Sequence, residues 1–128
     1  MNWLADTNIF LEILLGRPNK NKCKKFLKQN IGHIYISDFS LHSIGVLLFS
    51  RNKEELFQRF LNDIFPKATL LTLPEDAYRN LSKYKRRFQL DFDDAYQTAI
   101  AVQYDLRVKT MDKDFKKVKG FVSVDFID

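Results

Sequence analysis

The stretch DFDDAYQTAIAVQYDLRVKT, residues 91–110, sets three aspartates ahead of a helical pattern that runs into a short strand-like segment. Ala95, Tyr96, Ala99, Ile100 and Gln103 recur at helical spacing, and RVKT (107–110) has strand character. A helix that feeds directly into a strand is antiparallel to it. The helix N-terminus, with its aspartates, therefore lies at the edge where that strand ends.

Further strand candidates are NWLA (2–5), HIYI (33–36), TLLTL (69–73) and FVSVDF (121–126). Between them, Ile9, Phe10, Ile13 and Leu14 predict a first helix with Thr7 as N-cap and Gly16-Arg17-Pro18 as its stop. Phe26 and Leu27 anchor a second helix, and Leu41, Ile44, Leu47 and Leu48 a third. Leu56, Phe57, Phe60, Leu61 and Ile64 predict a fourth before Pro66. Pro74 opens a fifth that carries Tyr78 and Leu81. Strands separated by helices argue for an α/β sandwich with a mainly parallel sheet. No repeat, low-complexity tract or Gly/Ser linker divides the 128 residues, so a single domain over 1–128 is expected.

Composition narrows the class. Hydrophobic residues at 45% and charged residues at 29% fit a soluble globular chain. Cys23 has no second cysteine to pair with, and no Cys/His cluster suggests structural zinc, so a reducing compartment is expected. MNWLADTNIF lacks a basic leader region, and apolar runs such as IGVLLF are too short to span a bilayer. These features point to the cytoplasm and away from a membrane. A net charge of +5, concentrated in 19–28, 83–87 and 113–119, is compatible with a polyanionic partner, although a lysine-rich helix face is more often simply solvated.

In open parallel sheets, sites form beyond the carboxyl ends of the strands. Asp6 ends the first strand candidate, Asp112 follows RVKT by two residues, and Asp93 and Asp94 begin the last helix. Three acidic groups thus converge on one edge. Carboxylates without His or Cys suit a hard divalent ion such as Mg²⁺ or Mn²⁺. Such an ion activates water, orients a phosphodiester and stabilises developing charge. Metal-dependent phosphodiester hydrolysis follows as the expected chemistry.

Each acid also has a plainer reading. Asp91 is expected to cap the last helix, with Asp94 in a first turn that favours acids. Capping needs only one of the three, so Asp94 is read as functional and Asp93 as either solvated or near a bound ion. Asp6 has a capping alternative, Asp112 a turn alternative, Asp114 reads as capping or solvated, and Glu12 as a surface residue.

Together, DTNIFLE (6–12), DDAYQTAIA (93–101) and TMDKDF (110–115) resemble the PIN-domain family, including VapC-like toxins, over essentially the whole chain. The resemblance implies a three-layer α/β/α fold and a Mg²⁺- or Mn²⁺-dependent endoribonuclease. It further implies a homodimer and a small antitoxin partner, as in a type II toxin–antitoxin pair. By it, Asp6, Asp94 and Asp112 match the metal-binding, catalytic acids. Asn8 matches the residue that steadies the first aspartate, Thr110 the hydroxyl residue before Asp112, and Asp93 the neighbouring option to Asp94.

One departure stands out. The family usually carries a glutamate in the helix after the second strand, where this chain reads ISDFSLHSIGVLL. Ser43 falls at the expected spacing from Ser37, with His42 beside it as a weak substitute base, and Asp38 comes too early. The alternative expectation is therefore a degenerate PIN domain that binds RNA or protein without cutting. A receiver domain is disfavoured because TLLTL leads into Pro74-Glu75-Asp76, and a haloacid-dehalogenase-like phosphatase because Asn8 stands where its second aspartate belongs.

Overall fold

The structure, a computed structural model, describes residues 1–127. The first strand, β1 (Trp3–Ala5), has all its side chains buried. They alternate between faces, as strand geometry requires. Trp3 and Ala5 join one core with Ile34 and Ile36, whereas Leu4 joins a second core with Val108. A strand buried on both faces lies at the centre of a sheet covered on each side.

That sheet contains β1, β2 (Ile34–Ser37), β3 (Thr69–Leu71), β4 (Arg107–Thr110) and β5 (Val124–Phe126), in the order β3-β2-β1-β4-β5. Every pairing is parallel, so the sheet is wholly rather than mainly parallel. In register, Trp3 faces Ile34 on one side and Arg107 on the other. The C-terminal ends of β1, β2 and β4 therefore share one edge.

One face is covered by α1 (Thr7–Leu14), α2 (Lys20–Gln29), α3 (Asp38–Ser50) and α4 (Glu54–Asp63), whose Phe10, Phe26, Ile44, Leu48 and Phe60 fill its core. The other face carries α5 (Leu81–Phe88) and α6 (Phe92–Tyr104), with Leu81, Tyr84, Ile100 and Phe115 in the second core. Phe10, Phe60 and Phe115 are fully buried, and each such side chain contributes about 1.5–3 kcal/mol by leaving water. The result is the expected three-layer α/β/α sandwich. Among the described residues, no helix is long and apolar enough to cross a membrane.

Several local details differ from the sequence reading. Asp6, not Thr7, caps α1: its backbone is extended and its side chain accepts from the Thr7 amide. The fifth helix is broken into a 3-10 segment (Glu75–Asn80) and α5, because the segment opened by Pro74 winds tighter before Leu81. The last strand loses its first residues, since the amides of Phe121 and Val122 turn back to the carbonyl of Val118. Asp91 occupies the N-cap position of α6 in extended conformation, but its side chain makes no capping bond. Glu12 is buried rather than on the surface, accepting from the Asn19 amide at 2.9 Å, and so ties the end of α1 to the start of α2.

Candidate metal centre

Asp6 is the hinge of the site. Only one residue separates β1 from α1, so its carboxylate stays at the sheet edge, and it is 7% exposed. Oδ1 accepts from the Thr7 amide at 2.9 Å and from Gln97 Nε2 at 3.1 Å, while Oδ2 accepts from Thr110 Oγ1 at 2.8 Å. Burial nevertheless raises its pKa above the usual 3.8, outweighing these three bonds, and the Asp112 charge adds to the rise.

Asp94 sits in the first turn of α6 and is 8% exposed. Among the described residues, no hydrogen bond reaches its carboxylate. Burial pushes its pKa to about 7, with further increments from Asp112, Asp6, Asp114 and Asp93. An acid with four like charges around it and no compensating donor calls for a cation.

Asp112 follows β4 and caps the 3-10 segment Lys113–Val118, accepting from the Asp114 amide at 2.9 Å. Its own amide donates to Thr110 Oγ1 at 2.9 Å. Carboxylate oxygens of Asp94, Asp112 and Asp114 lie within 4.8 Å of one another. Asp114 is exposed, in keeping with the capping-or-solvated reading, and its carboxylate completes this group, with Lys117 Nζ at 3.8 Å as its ion partner. Its exposure limits the strength of that pair. The spacing Asp112-Lys113-Asp114 in one tight turn was the available signal for both acids.

The remaining candidates separate. Thr110 is fully buried between Asp6 and Asp112. Asn8 is half-buried on α1 and makes no hydrogen bond to Asp6 among the described residues. Asp93 is exposed and reaches Asp94 through its charge. Ser43 is half-buried and His42 exposed, and neither is hydrogen-bonded to the acids among the described residues. Asp38 is engaged elsewhere, accepting from the Tyr96 hydroxyl at 2.6 Å.

Two residues hydrogen-bonded to the site or next to it escaped the sequence reading. Ser40, fully buried on α3, meets Thr7 Oγ1 at 2.8 Å and accepts from Gln97 Nε2 at 2.8 Å. Gln97 is one turn beyond Asp94 on the same side of α6, a spacing that was legible, although its burial was not.

Solved structures of similar fold include chains from toxin–antitoxin complexes. A toxin–antitoxin complex from Klebsiella pneumoniae contains a similar chain, 21% identical, covering 97% of this chain and 96% of that one, with a TM-score of 0.75. A chain of DNA-bound VapBC from Salmonella typhimurium is 13% identical, with coverages of 100% and 99% and a TM-score of 0.83. VapC20 of Mycobacterium tuberculosis, described as a Sarcin-Ricin loop cleaving toxin, is 15% identical, with coverages of 90% and 93% and a TM-score of 0.75. At these identities the likeness is one of fold. No curated protein sequence matches the chain. The PIN domain family matches residues 4–120. With that match spanning most of its length, the chain belongs to the PIN domain family.

Proposed function

We propose that this protein is a divalent-metal-dependent endoribonuclease and the toxin of a type II toxin–antitoxin pair, acting in the cytoplasm. The observation that carries the reading is the convergence of the Asp94, Asp112 and Asp114 carboxylates within 4.8 Å, with Asp6 electrostatically coupled to Asp94 and Asp112. The toxin assignment is supported by the structural neighbours, which include chains from toxin–antitoxin structures and a toxin described as cleaving the Sarcin-Ricin loop. The same neighbours support an antitoxin partner, and the PIN-family resemblance implies that it is small and that the toxin forms a homodimer.

The donor set fits a hard divalent ion: all-oxygen, anionic, and crowded enough to hold a proton near neutrality. Asp6, Asp94 and Asp112, joined by Asp114, would hold Mg²⁺ or Mn²⁺. When bound, the ion supplies charge neutralisation at the phosphodiester and acidifies water. The protein's part is to keep the acids in place. Thr110 ties Asp6 to the Asp112 backbone, and Gln97 ties it to α3. Asp112 would position the attacking water. Exposed lysines at 113, 116 and 117 flank Asp112 and Asp114 and would meet the RNA backbone.

A second reading, a non-cutting RNA- or protein-binding module, is favoured by one observation: among the described residues, α3 reaches Asp6 through the Ser40 hydroxyl and Gln97, while its carboxylate, Asp38, is bonded to Tyr96 instead. Cleavage of structured and single-stranded RNAs with Mg²⁺ or Mn²⁺, wild type against Asp94→Asn, decides between them. Cation-dependent cutting that the substitution abolishes is the expected result. No cutting by folded wild type with the ions supplied would favour the binding module.

A further inference from the structure

Gln97 is 1% exposed, and an amide so deep in a protein needs its hydrogen bonds replaced. Both hydrogens of its Nε2 are used: one toward Asp6 Oδ1 at 3.1 Å, the other toward Ser40 Oγ at 2.8 Å. Its Oε1 is just as buried and has no partner among the described residues. An unpaired buried acceptor is destabilising, a cost that a methionine or leucine filling the same space would avoid. Turning the amide over would set Oε1 against an Asp6 carboxylate oxygen. The side chain is therefore oriented to serve Asp6 and Ser40, with its own carbonyl left unsatisfied.

Ser40 extends the link. Its hydroxyl meets Thr7 Oγ1 at 2.8 Å and accepts from Ser37 Oγ at 3.3 Å, and the Ser37 side chain caps α3 by accepting from the Ser40 amide at 3.1 Å. One buried network thus joins α6, the start of α3 and the junction between β1 and α1. Asp6 is held by it on Oδ1 and by Thr110 on Oδ2, so its carboxylate plane is fixed from both sides. Among the described residues, Gln97 is the side chain that connects Asp6 to α3. The arrangement has the form of an outer partner that orients a metal ligand.

We propose that Gln97 is the positioning residue of Asp6: a neutral amide that spans from α6 to α3 and holds the Asp6 carboxylate in the orientation that receives a divalent cation. The inference rests on the divalent-cation reading of the site. Gln97 donates without adding a fifth negative charge to Asp6, Asp94, Asp112 and Asp114, as a glutamate in its place would.

The test is calorimetric titration of Mn²⁺ into wild type, Gln97→Met and Ser40→Ala, each well below its melting temperature. Methionine keeps the length and loses the donor. The expected result is Mn²⁺ binding about 10- to 100-fold weaker in Gln97→Met, the range for losing an outer partner, with a smaller loss in Ser40→Ala. A core-filling role would be kept by methionine and would leave the affinity of the folded protein unchanged. Folded Gln97→Met that binds Mn²⁺ like wild type overturns the proposal and leaves the cation reading standing. Wild type that binds no Mn²⁺ overturns both. If Gln97→Met does not fold, Ser40→Ala decides: weakened binding supports the proposal, and wild-type affinity overturns it.

Discussion

The Thr110 hydroxyl donates to Asp6 Oδ2 across 2.8 Å while accepting from the Asp112 amide at 2.9 Å, so one buried side chain sets the spacing of two acids. Thr110→Val keeps the shape and removes the hydroxyl. It leaves a buried carboxylate oxygen and an amide short of a partner, at a cost of about 1–3 kcal/mol. The variant is expected to melt several degrees lower and to cleave RNA about 10- to 100-fold more slowly, with Thr110→Ser restoring most of both. Wild-type turnover in Thr110→Val would separate the fold from the chemistry and show that this link serves stability alone.

Asp94 makes the metal-free protein sensitive to pH in a direction opposite to that of a salt-bridged acid. Its folded pKa is about 7 against an ordinary 3.8, so between those values the folded state binds more protons than the unfolded one. Stability therefore falls as pH rises through that window, and the raised pKa of Asp6 acts with the same sign. The melting temperature in chelator is expected to decrease from pH 5 to pH 8. Asp94→Asn should flatten that slope and melt higher than wild type at pH 8, while losing the stabilisation that Mn²⁺ gives wild type. A lower melting temperature for Asp94→Asn at pH 8 would contradict the like-charge account.

The elements were legible because their signals are local. Trp3-Leu4-Ala5 and Arg107–Thr110 are short runs between helical patterns, and the direction of α6 follows from its entry into β4. The edge that gathers Asp6, Asp94 and Asp112 follows from that topology. What escaped the sequence depends on distant partners. Gln97 is a polar residue in the buried stretch of α6, and its amide bonds to Asp6 and Ser40, which lie 91 and 57 positions away. Asp6 and Thr7 are both good caps, and nothing local chooses between them. Asp114 reads as a capping or solvated residue, and only the fold of the 3-10 segment brings its carboxylate near those of Asp94 and Asp112.

Asp114 offers a direct check on that last point. Its visible ion partner, Lys117, is an exposed pair at 3.8 Å and contributes at most about 1 kcal/mol. Asp114→Asn is therefore expected to leave the metal-free melting temperature nearly unchanged, with a slight gain at high pH from relief of Asp94. Mn²⁺ affinity, read by the same titration, is expected to fall by about tenfold as one oxygen ligand is weakened. Affinity equal to wild type would return Asp114 to the solvent-facing role its sequence suggested and leave Asp94 and Asp112 to act with Asp6.

Tyr96 tests whether Asp38 belongs to the chemistry. The hydroxyl donates to Asp38 Oδ1 at 2.6 Å and accepts from the Leu73 amide at 3.2 Å, while the ring packs against Phe39, Tyr78 and Phe92. Burial and the bond to Asp38 both push the phenol well above its ordinary pKa, so it stays protonated and keeps donating. Tyr96→Phe preserves the ring contacts and leaves the buried Leu73 amide without a partner, a loss of about 1–3 kcal/mol. A lower melting temperature with unchanged cleavage per folded molecule is expected, because this linkage pins the start of α3 to the end of β3. The opposite pattern, wild-type stability with reduced cleavage, would mean that Asp38 must be held for the reaction. It would then be the carboxylate that α3 contributes to the site.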